Sequence, residues 1–563
     1  FAVGDILGWA FDAENGTLQC YKNGVSQGTQ FTNIRTDIGW VFCVTDYDNS
    51  ATATYIINFG QRPFAYTPPT GFLSLCTTNL PDPVIADGST AFDVSIWSGN
   101  STQDRKISTA FSPDFVWVKR RNAAKSHILI DAIRGDDNYL HSDTTNANQV
   151  QANLLGLVSD GYELGTVQSV NLTGNTYVGW AWDAGSSNTT ISAGGLNSSA
   201  YLYGDWTSMV TGNYSSAHGW GTTYQTLNAF DGNLSTMVIP HGSDGWKFEP
   251  TTPIAGNKIE IRGWNDGCPN AGLKINGNNY GDALGPDQTV GEWYTLPYST
   301  LESIELAGDG SAGNTEFRLQ AIRIDGRLLI QNNQSPPNVP TIASIVRANP
   351  TAGFSIVTAT QGSGDSTWGH GLNAKPDWIV LKARNQAYGW FVSHSGLDNQ
   401  STKFLQLHNT NAVATNANWF ASTEPTSSVV TTKAGGMWSA SDDFVAYCWA
   451  AVEGYSAFGS YTGNGSSDGP FIYTGFRPRF ILQKRTDTAG SSWQILDTKR
   501  DPFNLMNSPL LPEASAAEVT ADRFDSLSNG FKVKTSNGGQ NASGGSFIYA
   551  AFAEHPFKTA RAR

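Results

Sequence analysis

Carboxylates, imidazoles and indole rings are the groups in this chain from which chemistry could start. Two acidic pairs, Asp136-Asp137 and Asp442-Asp443, are adjacent in the sequence. Neighbours on a strand point to opposite faces, so such pairs do not share a proton, and their surroundings read as turns. Eight histidines are scattered with no His-x-His or His-x-x-x-His pattern, which argues against a zinc site. No nucleophile elbow, Walker loop or dinucleotide fingerprint occurs. A polysaccharide hydrolase would need two carboxylates about 5–9.5 Å apart, drawn from any two segments. The expectation is a protein that is not an enzyme.

Binding candidates concentrate between residues 186 and 335. Asp231 and Asn233 offer hard oxygen ligands suited to calcium, or they close an Asx turn; no other cofactor is implied. Trp206, Trp220, Trp246, Trp264 and Trp293 stand near Gly, Asn or Asp. A ring in that setting can stack on the apolar face of a sugar while nearby amides take its hydroxyls, or it belongs to a core or a subunit interface. Trp180, Trp182 and Trp449 alternate within strand-like runs and read as core.

These residues must be held by elements that the chain repeats. One stretch occurs three times, as Pro113-Asp-Phe-Val-Trp-Val-Lys119, Pro376-Asp-Trp-Ile-Val-Leu-Lys382 and Pro478-Arg-Phe-Ile-Leu-Gln-Lys484. Each opens on a proline, which suits a strand's first residue, and alternates large apolar side chains that place one row on a buried sheet face. A second landmark closes each unit: Tyr177-Val-Gly-Trp-Ala-Trp182, Phe444-Val-Ala-Tyr-Cys-Trp449 and Phe547-Ile-Tyr-Ala-Ala-Phe552. Recurrence of both, in order and at similar spacing, predicts three related β units.

Composition agrees with that reading. Charged residues are only 15% of the 563 residues, with 59 glycines and 12% aromatics, the profile of short strands joined by many turns. We expect an all-β, multi-domain chain of β-sandwich and jelly-roll domains, divided at 1–80, 90–185, 186–335, 345–453 and 454–563. A single helical turn is expected within Pro512–Val519, and Ser335-Pro-Pro-Asn-Val-Pro340 reads as a semi-rigid spacer. The net charge of −13, with no basic run, argues against a nucleic-acid partner. No apolar run reaches the ~18 residues of a membrane span. The odd count of five cysteines leaves at least one unpaired, and Cys43 and Cys448 lie in apolar strand patterns, as buried thiols made in a reducing compartment would.

Three resemblances extend these expectations. Gly4-Asp5-Ile6, Asp12, Asn15-Gly16, Tyr21-Lys22-Asn23-Gly24 and Asn58-Phe59-Gly60 resemble the second half of a SPRY domain, a concanavalin-like sandwich that serves as a binding module. That family's opening strands are missing, so the chain reads as part of a longer one. The connector Leu75-Cys-Thr-Thr-Asn-Leu-Pro81, the run Phe476-Arg-Pro-Arg-Phe-Ile-Leu-Gln-Lys-Arg485 and Trp493-Gln-Ile-Leu-Asp497 resemble tail-fibre proteins of marine phages and cyanophages. The resemblance implies a structural virion protein made in the host cytoplasm, a homotrimer that contacts other tail proteins and binds host surface polysaccharide. Ala229-Phe-Asp-Gly-Asn233, with a strand ending Ile324-Asp-Gly326, resembles discoidin-like carbohydrate-binding modules.

Overall fold

A computed structural model describes residues 2–34, 55–76, 79, 84–194, 201–212, 225–239, 245–265, 272–280, 291–306, 317–332, 339–521 and 523–554, with the backbone alone at 203, 264 and 265. The described chain is almost wholly β. It divides into two compact units, residues 1–86 with 556–563, and residues 87–555.

In the first unit a three-stranded meander runs through Leu7–Asp12, Thr17–Lys22 and Val25–Phe31. Its first turn is built by Asp12, whose Oδ1 accepts the N–H groups of Glu14 and Asn15, both at 3.0 Å. The second is a two-residue turn in which Asn23 and Gly24 both take positive φ, 49° and 80°. That conformation matches the twist of the flanking strands, which is why Asn-Gly sits there. Cys20 and Cys448 are buried free thiols; Cys43 and Cys268 lie outside the described residues.

The second unit is built on the repeats. Each contributes one four-strand set in the same spatial order: a lead strand, the closing strand, the proline strand and its partner. In the first repeat these are Phe92–Ser98, Thr176–Trp182, Phe115–Arg120 and Ile128–Asp131. In the second they are Phe354–Thr360, Asp443–Trp449, Trp378–Ala383 and Trp390–His394. In the third they are Ser456–Thr462, Ser546–Ala553, Pro478–Arg485 and Gln494–Asp497. A smaller outer sheet covers one face of each set, enclosing a separate apolar core.

One expectation needs correction here. The proline strands are buried on both faces, not one: all six residues of Phe115–Arg120 and of Trp378–Ala383 are buried. The second face is covered by the other repeats. Phe92, Phe115 and Trp182 of the first repeat meet Phe354 and Trp449 of the second and Phe480 and Phe552 of the third. Trp182 alone has ring centroids of the other repeats at 6.0 Å (Trp449), 5.8 Å (Phe480) and 5.7 Å (Phe552). The three sandwiches therefore share a central aromatic core within one chain.

Polar contacts at the seams repeat cyclically. A loop of the first repeat donates Asn148 N–H to Arg384 O (2.8 Å), the second donates Val413 N–H to Thr486 O (2.9 Å), and the third donates Glu518 N–H to Arg121 O (2.7 Å). The acceptors stand two residues beyond Lys382, Lys484 and Lys119. First grips second, second grips third, third grips first: the repeats form a closed ring with pseudo-threefold order. The same contact explains a second correction. Residues 512–519 form no helix, because their backbone groups are spent on the first repeat: Ser515 O accepts Lys125 N–H and Glu518 N–H reaches Arg121 O. Among the described residues the one α-helix is Gly538–Asn541, beside three 3-10 turns at Gly88–Thr90, Trp206–Met209 and Thr226–Ala229.

Between the first two repeats an inserted sandwich faces two five-stranded sheets across a core that includes Trp206, Phe230, Trp246, Phe248, Ile261 and Phe317. Thr189–Ile191, ahead of it, pairs with Ser344–Asn349 and so extends the sheet of the second repeat.

Candidate functional site

The residues singled out in the insertion separate by burial. Trp246 lies on the three-residue strand Trp246–Phe248, where Trp and Phe point inward and Lys247 points out, and its ring is 1% exposed. Trp206 is 9% exposed, packs on Phe248, and donates its Nε1–H to Leu202 O at 3.0 Å. Both rings are core, with no face left for a sugar; for these two the stacking expectation is corrected. Trp220 and the side chain of Trp264 lie outside the described residues.

Trp293 is different. It is half-buried on Glu292–Leu296, with the Arg323 guanidinium 3.9 Å from its ring centroid and Arg262 at 5.9 Å. Arg323 also binds Glu260 through Nε (2.5 Å) and Nη2 (2.7 Å), and this pairing brings the Glu260 carboxyl down to about 2. One face of this indole is thus occupied by a guanidinium that is itself anchored.

Asp231 and Asn233 form a turn. Asp231 Oδ1 accepts Asn233 N–H at 2.7 Å, its Oδ2 accepts the Thr236 hydroxyl at 2.7 Å, and Asn233 Oδ1 accepts Ser235 N–H at 3.0 Å. Among the described residues no group of three His, Cys, Asp or Glu side chains is placed to hold a metal ion. Replacing Asp231 with alanine is expected to cost about 1 kcal/mol, as loss of a local side-chain cap does. The cost should be the same with and without millimolar calcium. A melting temperature that rises with calcium in the parent chain and not in D231A would restore a cation to this turn.

The adjacent acidic pairs also serve turns. Asp136 Oδ1 accepts Leu157 N–H, Asp137 accepts Leu154 N–H, and Asp442 Oδ2 accepts Ser439 N–H.

The densest polar constellation lies instead at the ring seams. Asp131 Oδ1 accepts Arg134 N–H and its Oδ2 accepts Arg134 Nε (2.5 Å) and the Tyr447 hydroxyl of the second repeat (2.8 Å). Asp497 binds Arg500 in the same way, and its Oδ2 takes the Trp180 indole N–H of the first repeat at 3.1 Å. Arg500 then reaches Glu518, which Arg121 holds by two bonds of 2.9 and 2.8 Å. Burial opposes ionisation of Glu518, yet the two guanidiniums hold its carboxyl below the ordinary range. In the second repeat His394 takes the aspartate's place, and its Nε2 bonds Tyr549 O of the third at 3.0 Å. The signal was present in the sequence as Leu-Ile-Asp131 with Arg134 and Ile-Leu-Asp497 with Arg500.

The repeated lysines belong to the same seams. Lys119, Lys382 and Lys484 are fully buried. Each Nζ donates to the carbonyl of the next residue, and Lys119 and Lys382 also donate to Ser515 O and Thr145 O of a neighbouring repeat. Burial lowers all three ammonium groups to about 8. Asp131, Asp497, Lys119 and Lys382 are bonded across the seams and lock sandwich to sandwich, while Lys484 is satisfied within its own repeat by Arg485 O and Ser491 O.

The architecture defines a class: a body of three interlocked β-sandwiches carrying a fourth on a connecting loop. The profile of the family described as a domain of unknown function (DUF7483) matches residues 87–229 and 331–556, and the chain belongs to that family. Residues 1–86 and 230–330 are not matched, and the described residues of the latter stretch belong to the inserted sandwich. No solved structure matches the chain.

Proposed function

We propose that this chain is a non-enzymatic attachment protein, a structural component of a phage tail fibre that binds host surface glycan. The observation that carries the reading is the interlocked ring. A body whose buried charges bond across its own seams, and which carries an extra sandwich between two of its repeats, suits a rigid scaffold that presents binding surfaces. Resemblance of the connector and the third repeat to tail-fibre proteins supports the same reading, as does the SPRY-like sequence of the first unit. Copies of the chain, as a homotrimer or through other tail proteins, add avidity to weak individual sites. Such association uses surfaces other than the three seams, which one chain already closes.

An array of bacterial capsular and O-chain polysaccharides tests this. Binding without shortening of the polysaccharide is the expected result. Newly exposed reducing ends would favour a tailspike hydrolase. A blank array, with stable binding to a tail-tube or baseplate protein, would favour a purely structural fibre.

A further inference from the structure

The three repeats provide their own control for what the fold requires. In the third repeat the outer sheet has the order Phe471–Tyr473, Gly530–Val533, Phe524–Leu527. Ile472 points into the core, while Phe471 and Tyr473 point out and are 46% and 68% exposed. Tyr473 pairs with Gly530, Ile472 with Phe531 and Phe471 with Lys532. In the first repeat the equivalent register is Ser108 with Gly161, Ile107 with Tyr162 and Lys106 with Glu163. The sequences leading into the middle strand, Val158-Ser-Asp-Gly-Tyr162 and Leu527-Ser-Asn-Gly-Phe531, confirm the alignment. The same two outer positions therefore hold Lys106 and Ser108 in one repeat and two aromatic rings in another. The second repeat turns Trp368 inward on its outer strand and carries Thr367 facing out. The fold does not ask for aromatics here.

Glycines leave room beside both rings. A Cβ on Gly530 would stand 3.0 Å from Phe471 Cε2, and one on Gly475 would stand 3.6 Å from the Tyr473 hydroxyl. Each ring thus has a glycine beside it and remains substantially exposed. Polar groups border the pair, namely the Lys532–Asp468 ion pair at 2.5 Å and Asp525 across from Lys532.

We propose that Phe471 and Tyr473 form a stacking platform for a neutral glycan. The area decides the occupant: two partly exposed rings offer about 200–250 Å², far below the ~800 Å² each partner contributes to a stable protein interface. It suits the apolar faces of one or two sugar rings, with the bordering polar groups taking hydroxyls. The net charge of −13 disfavours an anionic polysaccharide. The inference rests on the attachment reading above and supplies its ligand class and its site.

The test uses the whole chain and affinity gel electrophoresis in dextran, laminarin and galactomannan, with alginate as the anionic probe and the polysaccharide array alongside. The double variant F471S/Y473S removes both rings and takes its serine from Ser108 of the first repeat; the lysine of that repeat is not copied to 471, because Lys532 stands opposite there where Lys106 faces Glu163. If its melting temperature falls, Tyr473→Ala alone replaces it. Retardation by at least one neutral polysaccharide, weakened at least tenfold in the variant, is the expected result. Equal retardation of parent and variant, or retardation by alginate alone, would overturn the platform and leave attachment standing. Absence of binding to every gel and every array polysaccharide would overturn the attachment reading, and the platform with it.

Discussion

Trp182→Ala is expected to destabilise the ring by about 3–5 kcal/mol, the cost of emptying a large aromatic site in a packed core. The site is central. Trp182 is 1% exposed and packs on Phe92 (4.9 Å) and Phe115 (5.4 Å) of its own repeat as well as on rings of the other two. The prediction is sharper in where the damage appears than in its size. If the repeats share one core, amide protection against hydrogen exchange should fall in all three closing strands, Thr176–Trp182, Asp443–Trp449 and Ser546–Ala553. Independent sandwiches strung along the chain would lose protection in the first strand alone, and that outcome would refute the ring. Trp293→Ala is the control. Its ring is half-buried and its partner is Arg323, so the expected loss is about 1 kcal/mol, confined to the inserted sandwich.

The repeats, with their proline and closing strands, could be read from the residues, because proline and alternation act locally. Ring closure could not. Repetition of a strand states that three similar units exist and is silent about whether they touch. A hint was available in Phe115-Val-Trp-Val118 and in Trp180-Ala-Trp182, where apolar residues run continuously instead of alternating with polar ones. Such runs belong to strands covered on both faces. The lysine ending each proline strand concealed the ring further, since a lysine at a strand end is ordinarily solvated, and Lys119, Lys382 and Lys484 are fully buried. Lys119 and Lys382 gain carbonyls from a neighbouring repeat's loop, Ser515 O and Thr145 O, whereas Lys484 bonds Arg485 O and Ser491 O of its own repeat. Among the insertion tryptophans, Trp246-Lys-Phe248 carried a readable alternation that placed the ring inward. Nearness to glycine kept the stacking alternative open beside it, because short strands are necessarily close to turns.

Mild acid should loosen this ring, and one imidazole at its seams should account for a measurable share. His394 accepts Gly396 N–H on Nδ1 (2.9 Å) and donates from Nε2 to Tyr549 O (3.0 Å), so the neutral Nε2–H tautomer satisfies both contacts. A second proton would have to go on Nδ1, against an N–H donor, in a fully buried site. Burial accordingly lowers this imidazole to about 4. His370 is held in the same way and is also lowered to about 4, and His127, at the seam of the first and third repeats, lies well below the ordinary value. The unfolded chain takes up these protons near pH 6.5 and the folded chain does not, so stability falls as pH drops from about 6.5 to 4. For His394 the loss by pH 4 is about 3 kcal/mol. Asp114 and Glu513 act in the opposite sense, because burial raises both carboxyls to about 7 and they favour the folded state on acidification. A comparison with His394→Asn removes that background. The amide oxygen can accept Gly396 N–H as Asp131 Oδ1 accepts Ile133 N–H at the equivalent position of the first repeat, and it does not titrate. Denaturant unfolding of parent and H394N between pH 7 and 4 should give curves that converge or cross, with the parent losing about 3 kcal/mol more than the variant across that range. Parallel curves would mean that the His394 proton is not coupled to the seam between the second and third repeats.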